Sequence, residues 1–317
     1  MTSDLCKHPC SCIYKDHSIT NIKHCVSDFV ETSRADKLHD NVRILCLILT
    51  TENNFLTKAL VVNATWARRC NSHYFVLATN LVQNDIIKYP YNESRDVLLH
   101  KVRHAFYHIY DNLIDTFDWV LKADDDTYVI MENLRFLLSH HKPNEPGYLG
   151  FHFNNYIPNS GYMSGGAGYV ISNRALRRLV EFGLNKEDAC AITNSKLIPE
   201  VSEDFEIGKC LKEVGVPVLS SVDIAGRESF HPYPLSQYLF ESLPQYLYEW
   251  ANNQQKVVNK LFTWICFCSN YFYCSKHIKN EAVGFFGVCD CKIIHENVYF
   301  GFVRLRNISL NQCIVIR

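Results

Sequence analysis

The chain alternates between short apolar runs and longer amphipathic stretches. Residues 43–49, Arg43-Ile44-Leu45-Cys46-Leu47-Ile48-Leu49, are almost continuously apolar over a strand's length, the pattern of a strand covered on both faces. Residues 56–68 favour a helix, and His73-Tyr74-Phe75-Val76-Leu77 reads as a second strand. From Ser94 onward, Val97, Leu98, Val102, Ala105, Phe106, Ile109 and Leu113 recur at helical spacing, which predicts a long amphipathic helix. A third strand, Phe117-Asp118-Trp119-Val120-Leu121, follows. This β–α–β–α–β order predicts an α/β fold whose parallel sheet carries helices on both faces. Downstream, residues 143–160 read as a loop rich in Pro, Asn and Gly. Ser172 caps a short helix, and Ser202 caps another that Gly215 ends. Residues 1–40 show mixed charge and no period, as in a stem, and no internal repeat occurs.

The third strand runs into Asp124-Asp125-Asp126. Three adjacent carboxylates repel one another and lose hydration on burial, so they suit the exposed end of a strand where a divalent cation neutralises them. Oxygen ligands select hard ions such as Mg²⁺ or Mn²⁺, which in turn suit a diphosphate. The plainer alternative is a solvated acidic turn or a helix N-terminus. The strand ahead and the glycine-rich segment behind favour a metal–nucleotide site, placed beyond the carboxyl ends of the strands where open α/β sheets bind ligands. That segment, Gly161-Tyr162-Met163-Ser164-Gly165-Gly166-Ala167-Gly168, lets backbone approach a ligand closely. A plain flexible turn is its alternative reading.

Composition narrows the classes. Of 317 residues, 47% are hydrophobic and 21% charged, enough apolar material for a sizeable core. A formal net charge of −1 and the lack of a dense basic run argue against nucleic acid as a partner. No stretch approaches the roughly 20 apolar residues that span a bilayer, and residues 1–40 hold no signal-peptide core. Fourteen cysteines are many for a reducing compartment. Cys6, Cys10 and Cys12, with His8 and His17, fit no standard zinc spacing and read instead as stem. Sequons occur at Asn63, Asn92 and Asn307.

Several ordered motifs carry a resemblance. Leu121-Lys122-Ala123-Asp124-Asp125-Asp126-Thr127-Tyr128-Val129-Ile130 and Gly161 through Val170 resemble the core 1 β1,3-galactosyltransferases, part of the larger β1,3-glycosyltransferase family that includes the fringe proteins. Val42-Arg43-Ile44-Leu45-Cys46, Ala64-Thr65-Trp66-Ala67-Arg68-Arg69-Cys70-Asn71, Ser202-Glu203-Asp204 and Glu228-Ser229-Phe230-His231-Pro232 continue it in order. The resemblance covers roughly residues 40–250 and implies a GT-A-like, Rossmann-like fold. It divides the chain into a stem-like segment 1–40, a catalytic domain 41–254 and a divergent tail 255–317.

The resemblance also implies roles. Asp124 and Asp126 hold Mn²⁺ against the diphosphate of a UDP-sugar. Thr65, Trp66 and Arg68 line the uridine side. Glu93, Ser94, Arg95, Lys101, Lys122 and Asp124 contact the nucleotide or its sugar. Gly165 and Gly166 wall the donor-sugar and acceptor pocket, and Trp250 stacks on the acceptor sugar. Asp204 is the general base, with stabilisation of a helix N-terminus as the plainer role for the Glu203-Asp204 pair. The family completes its metal site with a histidine from a Ser-Phe-His-Tyr segment after a Cys-Cys pair, and neither is present here. His231 is a substitute ligand, with a structural histidine as its alternative. Disulfides Cys46–Cys70 and Cys190–Cys210 in a secretory lumen are implied as well. The implied partners are a UDP-galactose donor and a GalNAc-bearing glycoprotein acceptor, and the resemblance admits a homodimer. Family members are Golgi membrane proteins facing the lumen, so the resemblance implies an anchor that is either truncated or missed in this sequence.

Other readings follow from the same residues. A fringe-type relative moves GlcNAc from the same kind of donor site. A chaperone relative of the same fold lacks the acidic triplet, which this chain keeps. The tail, with Cys266-Phe267-Cys268 and Cys289-Asp290-Cys291 where the family has its metal histidine, also fits a catalytically impaired product.

Overall fold

Side-chain alternation along the first apolar run builds the centre of the molecule. In β1, Ile44–Leu49, every residue is buried. Ile44, Cys46 and Ile48 face one core, and Leu45, Leu47 and Leu49 face the other. The computed structural model describes residues 33–185, 190, 202–222, 228–234, 237–238 and 243–251. A helix α1, Ser33–Asn41, comes before β1. The predicted helix 56–68 is broken into α2 (Glu52–Asn54), a π-helical turn (Phe55–Ala59), α3 (Leu60–Ala64) and a 3₁₀ turn (Ala67–Arg69). The strands β2 (Ser72–Leu77) and β3 (Ile86–Lys88) follow. The long amphipathic helix is α4, Leu98–Leu113, and β4 is Trp119–Asp124. Next come α5, Met131–Leu138, and the strands β5 (Tyr148–Gly150), β6 (His152–Phe153), β7 (Tyr162–Met163) and β8 (Tyr169–Ser172). The helices α6 (Asn173–Arg178), α7 (Glu203–Glu213) and α8 (Gln245–Trp250) complete the set described.

The main sheet has six strands in the order β3-β2-β1-β4-β8-β5. β3, β2, β1 and β4 run parallel to one another, as the β–α alternation predicts. β8 runs antiparallel to both β4 and β5, so the sheet is mixed rather than parallel throughout. Helices cover both faces. Phe55, Ala59 and Val62 pack one face with Met131, Leu134 and Leu138 of α5. The other face takes Leu99, Val102, Phe106 and Ile109 of α4, with Ile207 and Leu211 of α7. Burial on both sides is why β1 shows no polar alternation.

Two local expectations are corrected. Residues 143–160 are not all loop, since β5 and β6 lie there, and Tyr148 and Leu149 are buried beside β8. Two- and three-residue strands are too short for a period to show. Cys210 lies inside α7 and pairs with Cys190 at a Cα–Cα distance of 5.0 Å. Cys46 pairs with Cys70, S–S 2.04 Å, within the first core. Ser172 caps α6 by accepting from the Ala175 N–H. The Ser202 hydroxyl makes no such bond at α7 and donates instead to Asp204. The stem and the tail with its cysteines fall almost wholly outside the described residues.

Candidate active site

Register aligns the carboxyl ends of three parallel strands, because Leu49 lies opposite both Val76 of β2 and Asp124 of β4. The acidic triplet, Thr50 and Ala78 therefore share one edge. The turn after β4 is fixed from two sides. The Thr127 N–H donates to the Asp124 carbonyl at 3.1 Å, and the Trp66 indole N–H donates to the Thr127 carbonyl at 2.8 Å. Trp66 is 1% exposed and acts as a core strut beneath the triplet. Its ring is enclosed, as an ordinary core tryptophan's is. Thr65 is also buried and spends its hydroxyl on the Val61 and Val62 carbonyls of its own helix. Arg68, Ser94 and Arg95 are exposed.

Within the triplet the three carboxylates have different surroundings. Asp124 accepts a salt bridge from Lys122 at 2.9 Å. Asp125 is nearly buried and accepts from the Thr50 hydroxyl at 2.7 Å. Asp126 is held above the usual carboxylate range by burial, and then by Asp124 and Asp125, with Lys58 acting against them. Lys58 reaches Asp125 at 3.6 Å and Asp126 at 3.9 Å. Nothing in the sequence pattern marks Lys58, because only the turn of its helix over the strand end brings it there.

Lys122 is 2% exposed and joins two functional segments. Its ammonium lies 2.9 Å from Asp124 and 3.4 Å from Glu203 at the start of α7. Burial disfavours that charge, but Asp124 and Glu203 outweigh it and hold the ammonium above its ordinary pKa. Glu203 is raised by burial and by Asp204, against Lys122, and accepts from the Tyr169 hydroxyl at 2.6 Å. Lys122 is thus enclosed by protein carboxylates rather than presented to a ligand. Asp204, the next residue, is only partly buried. Its Oδ2 accepts from the Gly165 N–H at 2.7 Å, and its Oδ1 accepts from the Phe205 N–H at 2.8 Å and from Ser202. A Cβ on Gly165 would stand 3.1 Å from the Asp204 Cβ, so only glycine permits this approach without displacement. Gly166 is half-buried beside it.

Lys101 is not a surface cation. It is buried, donates to the Thr50 carbonyl, and pairs with Glu93 at 2.9 Å. Glu93 also accepts from the Ala78 N–H at 2.6 Å. Burial lowers the Lys101 pKa against the pull of Glu93. The pair ties the ends of β1 and β2 together beneath the site. Trp250 is half-buried among Phe153, Tyr156 and Tyr246, with ring centroids 5.7, 5.3 and 4.6 Å away. Tyr156 and Tyr246 are exposed, so the cluster offers aromatic surface of the kind that suits a sugar face.

His231 is not brought to the triplet as a third ligand. Among the described residues, no three His, Cys, Asp or Glu side chains gather into a group that could hold a metal. The imidazole is buried against the Tyr238 ring at 5.1 Å, and its Nδ1 lacks a hydrogen-bond partner. Burial lowers its pKa to about 4. This is the environment of a neutral core histidine. Asp124 and Asp126 nonetheless fit a hard divalent ion. They are oxygen donors at a strand end, where burial first, and then the neighbouring Asp124 and Asp125, disfavour the ionised Asp126 carboxylate, a cost that a bound divalent ion would offset.

The profile of the Fringe-like family matches residues 37–259. Glycoprotein-N-acetylgalactosamine 3-beta-galactosyltransferase 1 of Xenopus laevis is 40% identical over 209 residues, covering 66% of this chain and 56% of the relative. A beta-1,3-glucosyltransferase of Mus musculus is 31% identical over 105 residues, 32% of this chain and 19% of that protein. Human chondroitin sulfate synthase 3 is 23% identical over 185 residues, 53% and 20% of the two chains. The chain therefore spans little more than half of the Xenopus relative's length. No helix among the described residues is long and apolar enough to cross a membrane.

Proposed function

The chain belongs to the Fringe-like family, and on that premise we propose that it transfers galactose, with inversion, from UDP-galactose to O-3 of GalNAc on serine or threonine of glycoproteins. The 40% identity to a Xenopus protein named for that transfer supports the reading. The observation that carries it is the Lys122 bridge between Asp124 and Glu203. It sets the end of β4 and the start of α7 side by side, so a donor held at the triplet would lie near Asp204. The extent of the family match, 37–259, supports taking 41–254 as the catalytic domain, between stem 1–40 and tail 255–317.

GT-A-like glycosyltransferases generally use a divalent metal. We take the ion to be Mn²⁺, with Asp124 and Asp126 as its protein ligands. When bound, it would neutralise diphosphate charge and favour departure of UDP. Asp204 accepts the proton of the acceptor's 3-hydroxyl as that oxygen attacks the sugar C1 opposite the leaving group. The Gly165 and Phe205 N–H groups aim the Asp204 carboxylate. Trp250, with Tyr156 and Tyr246, offers the acceptor sugar an aromatic face. Lys101 and Glu93 support the strand ends instead of touching the donor. Arg68, Ser94 and Arg95 remain the exposed groups from the donor set. The disulfides fit an oxidising secretory compartment, and the proposed activity supports the Golgi lumen within it.

The match to a β1,3-glucosyltransferase favours a second reading, in which the donor carries another hexose. The deciding experiment supplies UDP-galactose, UDP-GlcNAc and UDP-glucose separately to the full chain with a benzyl-α-GalNAc acceptor, with Mn²⁺ or with EDTA. We expect a galactosylated product only with Mn²⁺, lost in Asp126→Asn. Preference for another sugar selects the second reading, and absence of transfer from all three overturns both.

A further inference from the structure

Lys58 has no role in the site as described so far, yet it is a cation standing on the triplet. It lies in the π-helical turn Phe55–Ala59 between α2 and α3, and such turns recur at functional sites because a regular helix would aim the side chain elsewhere. Its ammonium is 3.6 Å from Asp125 and 3.9 Å from Asp126. These are ion-pair distances, longer than a direct hydrogen bond. The side chain is 38% exposed. A long, flexible stem with a loosely held, half-exposed charge can be redirected by rotation alone.

The two carboxylates it touches are not equivalent. Asp125 has a second partner in the Thr50 hydroxyl and is 8% exposed. Asp126 is 25% exposed, so it is the more open of the two to an arriving ion. Two cations on one carboxylate repel, so a divalent ion arriving at Asp126 and the Lys58 ammonium exclude each other from that oxygen. The same ion brings a diphosphate with it, whose oxygens offer the displaced ammonium a new partner at the same strand edge.

Resting on the function proposed above, we propose that Lys58 is a tethered counter-ion that holds Asp126 in the metal-free protein and turns to the donor diphosphate when the divalent ion takes that carboxylate. The exchange makes Lys58 oppose metal alone and favour metal with nucleotide. It would discourage idle metal binding and couple the two ligands, since each then binds better in the presence of the other.

Binding measurements on the full chain test this without any turnover. Mn²⁺ affinity without nucleotide is measured by the electron paramagnetic resonance of free Mn²⁺, and UDP affinity at saturating Mn²⁺ by calorimetry, in the parent and in Lys58→Met and Lys58→Arg. Lys58→Met should bind Mn²⁺ alone roughly 2- to 5-fold more tightly, the scale of a part-exposed ion pair. It should bind UDP about 10-fold more weakly, the scale of a lost charge-assisted hydrogen bond. Lys58→Arg should restore most of the UDP affinity. Unchanged or weaker Mn²⁺ binding in a Lys58→Met chain with native circular dichroism overturns the proposal. So does tighter Mn²⁺ binding with no loss of UDP, because Lys58 would then never leave the carboxylates. If the parent chain binds neither Mn²⁺ nor UDP, the functional reading itself fails, and the role of Lys58 fails with it.

Discussion

The backbone N–H of Gly165 donates to Oδ2 of Asp204 at 2.7 Å, which fastens the start of α7 to the glycine-rich turn ahead of β8. Gly168, three residues on, has φ of +70°, a region that favours glycine. The turn thus enters β8 in a conformation that other residues resist. The glycines of this segment serve two separate needs, close approach at Gly165 and backbone direction at Gly168.

Asp204→Asn keeps the side chain's shape but removes its capacity to take a proton. The expected result is a fall in kcat of about 10²–10⁴-fold, with donor affinity nearly unchanged. Steady-state kinetics and UDP calorimetry together check it. Equal losses in binding and turnover would make Asp204 a donor-site or structural group instead.

Lys122→Met leaves Glu203, 3% exposed, without its counter-charge. Removing one partner of a buried ion pair costs about 3–5 kcal/mol, so urea unfolding should show a loss of that size. Lys122→Met/Glu203→Gln should recover part of it, because the uncompensated buried charge is then gone. A loss below about 1 kcal/mol in the single variant would show that water reaches Glu203.

His231 links stability to pH. Its folded pKa is lowered to about 4 by burial, below the unfolded value of about 6.5. The unfolded chain therefore takes up the proton first. Stability from the neutral imidazole is fully present above about pH 6.5 and is lost as pH falls towards 4, on the order of 3 kcal/mol for this one group. Unfolding free energies measured from pH 7 to pH 4 should flatten in His231→Gln relative to the parent. Identical slopes in the two proteins would mean that the imidazole is already hydrated at neutral pH.

The two sequons within the described residues should behave differently in secreted protein. Asn92 and Ser94 are exposed on the chain ahead of α4, and the Ser94 backbone is extended. Asn63 lies in α3, and its sequon threonine, Thr65, is buried with its hydroxyl bonded to helix carbonyls. Glycan occupancy is expected at Asn92 and not at Asn63, because an acceptor must be exposed on a surface loop. Peptide mass spectrometry after enzymatic deglycosylation reads both positions directly, and a glycan on Asn63 would require α3 to open.

The sequence by itself determined the frame. The unbroken apolar run of β1, the helical spacing across α4 and the strand leading into Asp124 each depend on local periodicity, which burial on one or two faces imposes directly on the chain. The triplet and the glycine segment were legible for the same reason, since their chemistry lies in consecutive residues. Tertiary structure alone decided how the candidate side chains are used. Lys101 and Lys122 look in sequence like cations for a diphosphate, but folding encloses them beside Glu93, Asp124 and Glu203. Trp66 becomes a strut under Thr127, and His231 goes to a pocket beside Tyr238. Lys58 carries no sequence signal and yet reaches the triplet. The physical reason is common to all of them. Periodicity records which face of an element is buried, whereas the partner of a charge is set by contacts between segments far apart in the chain.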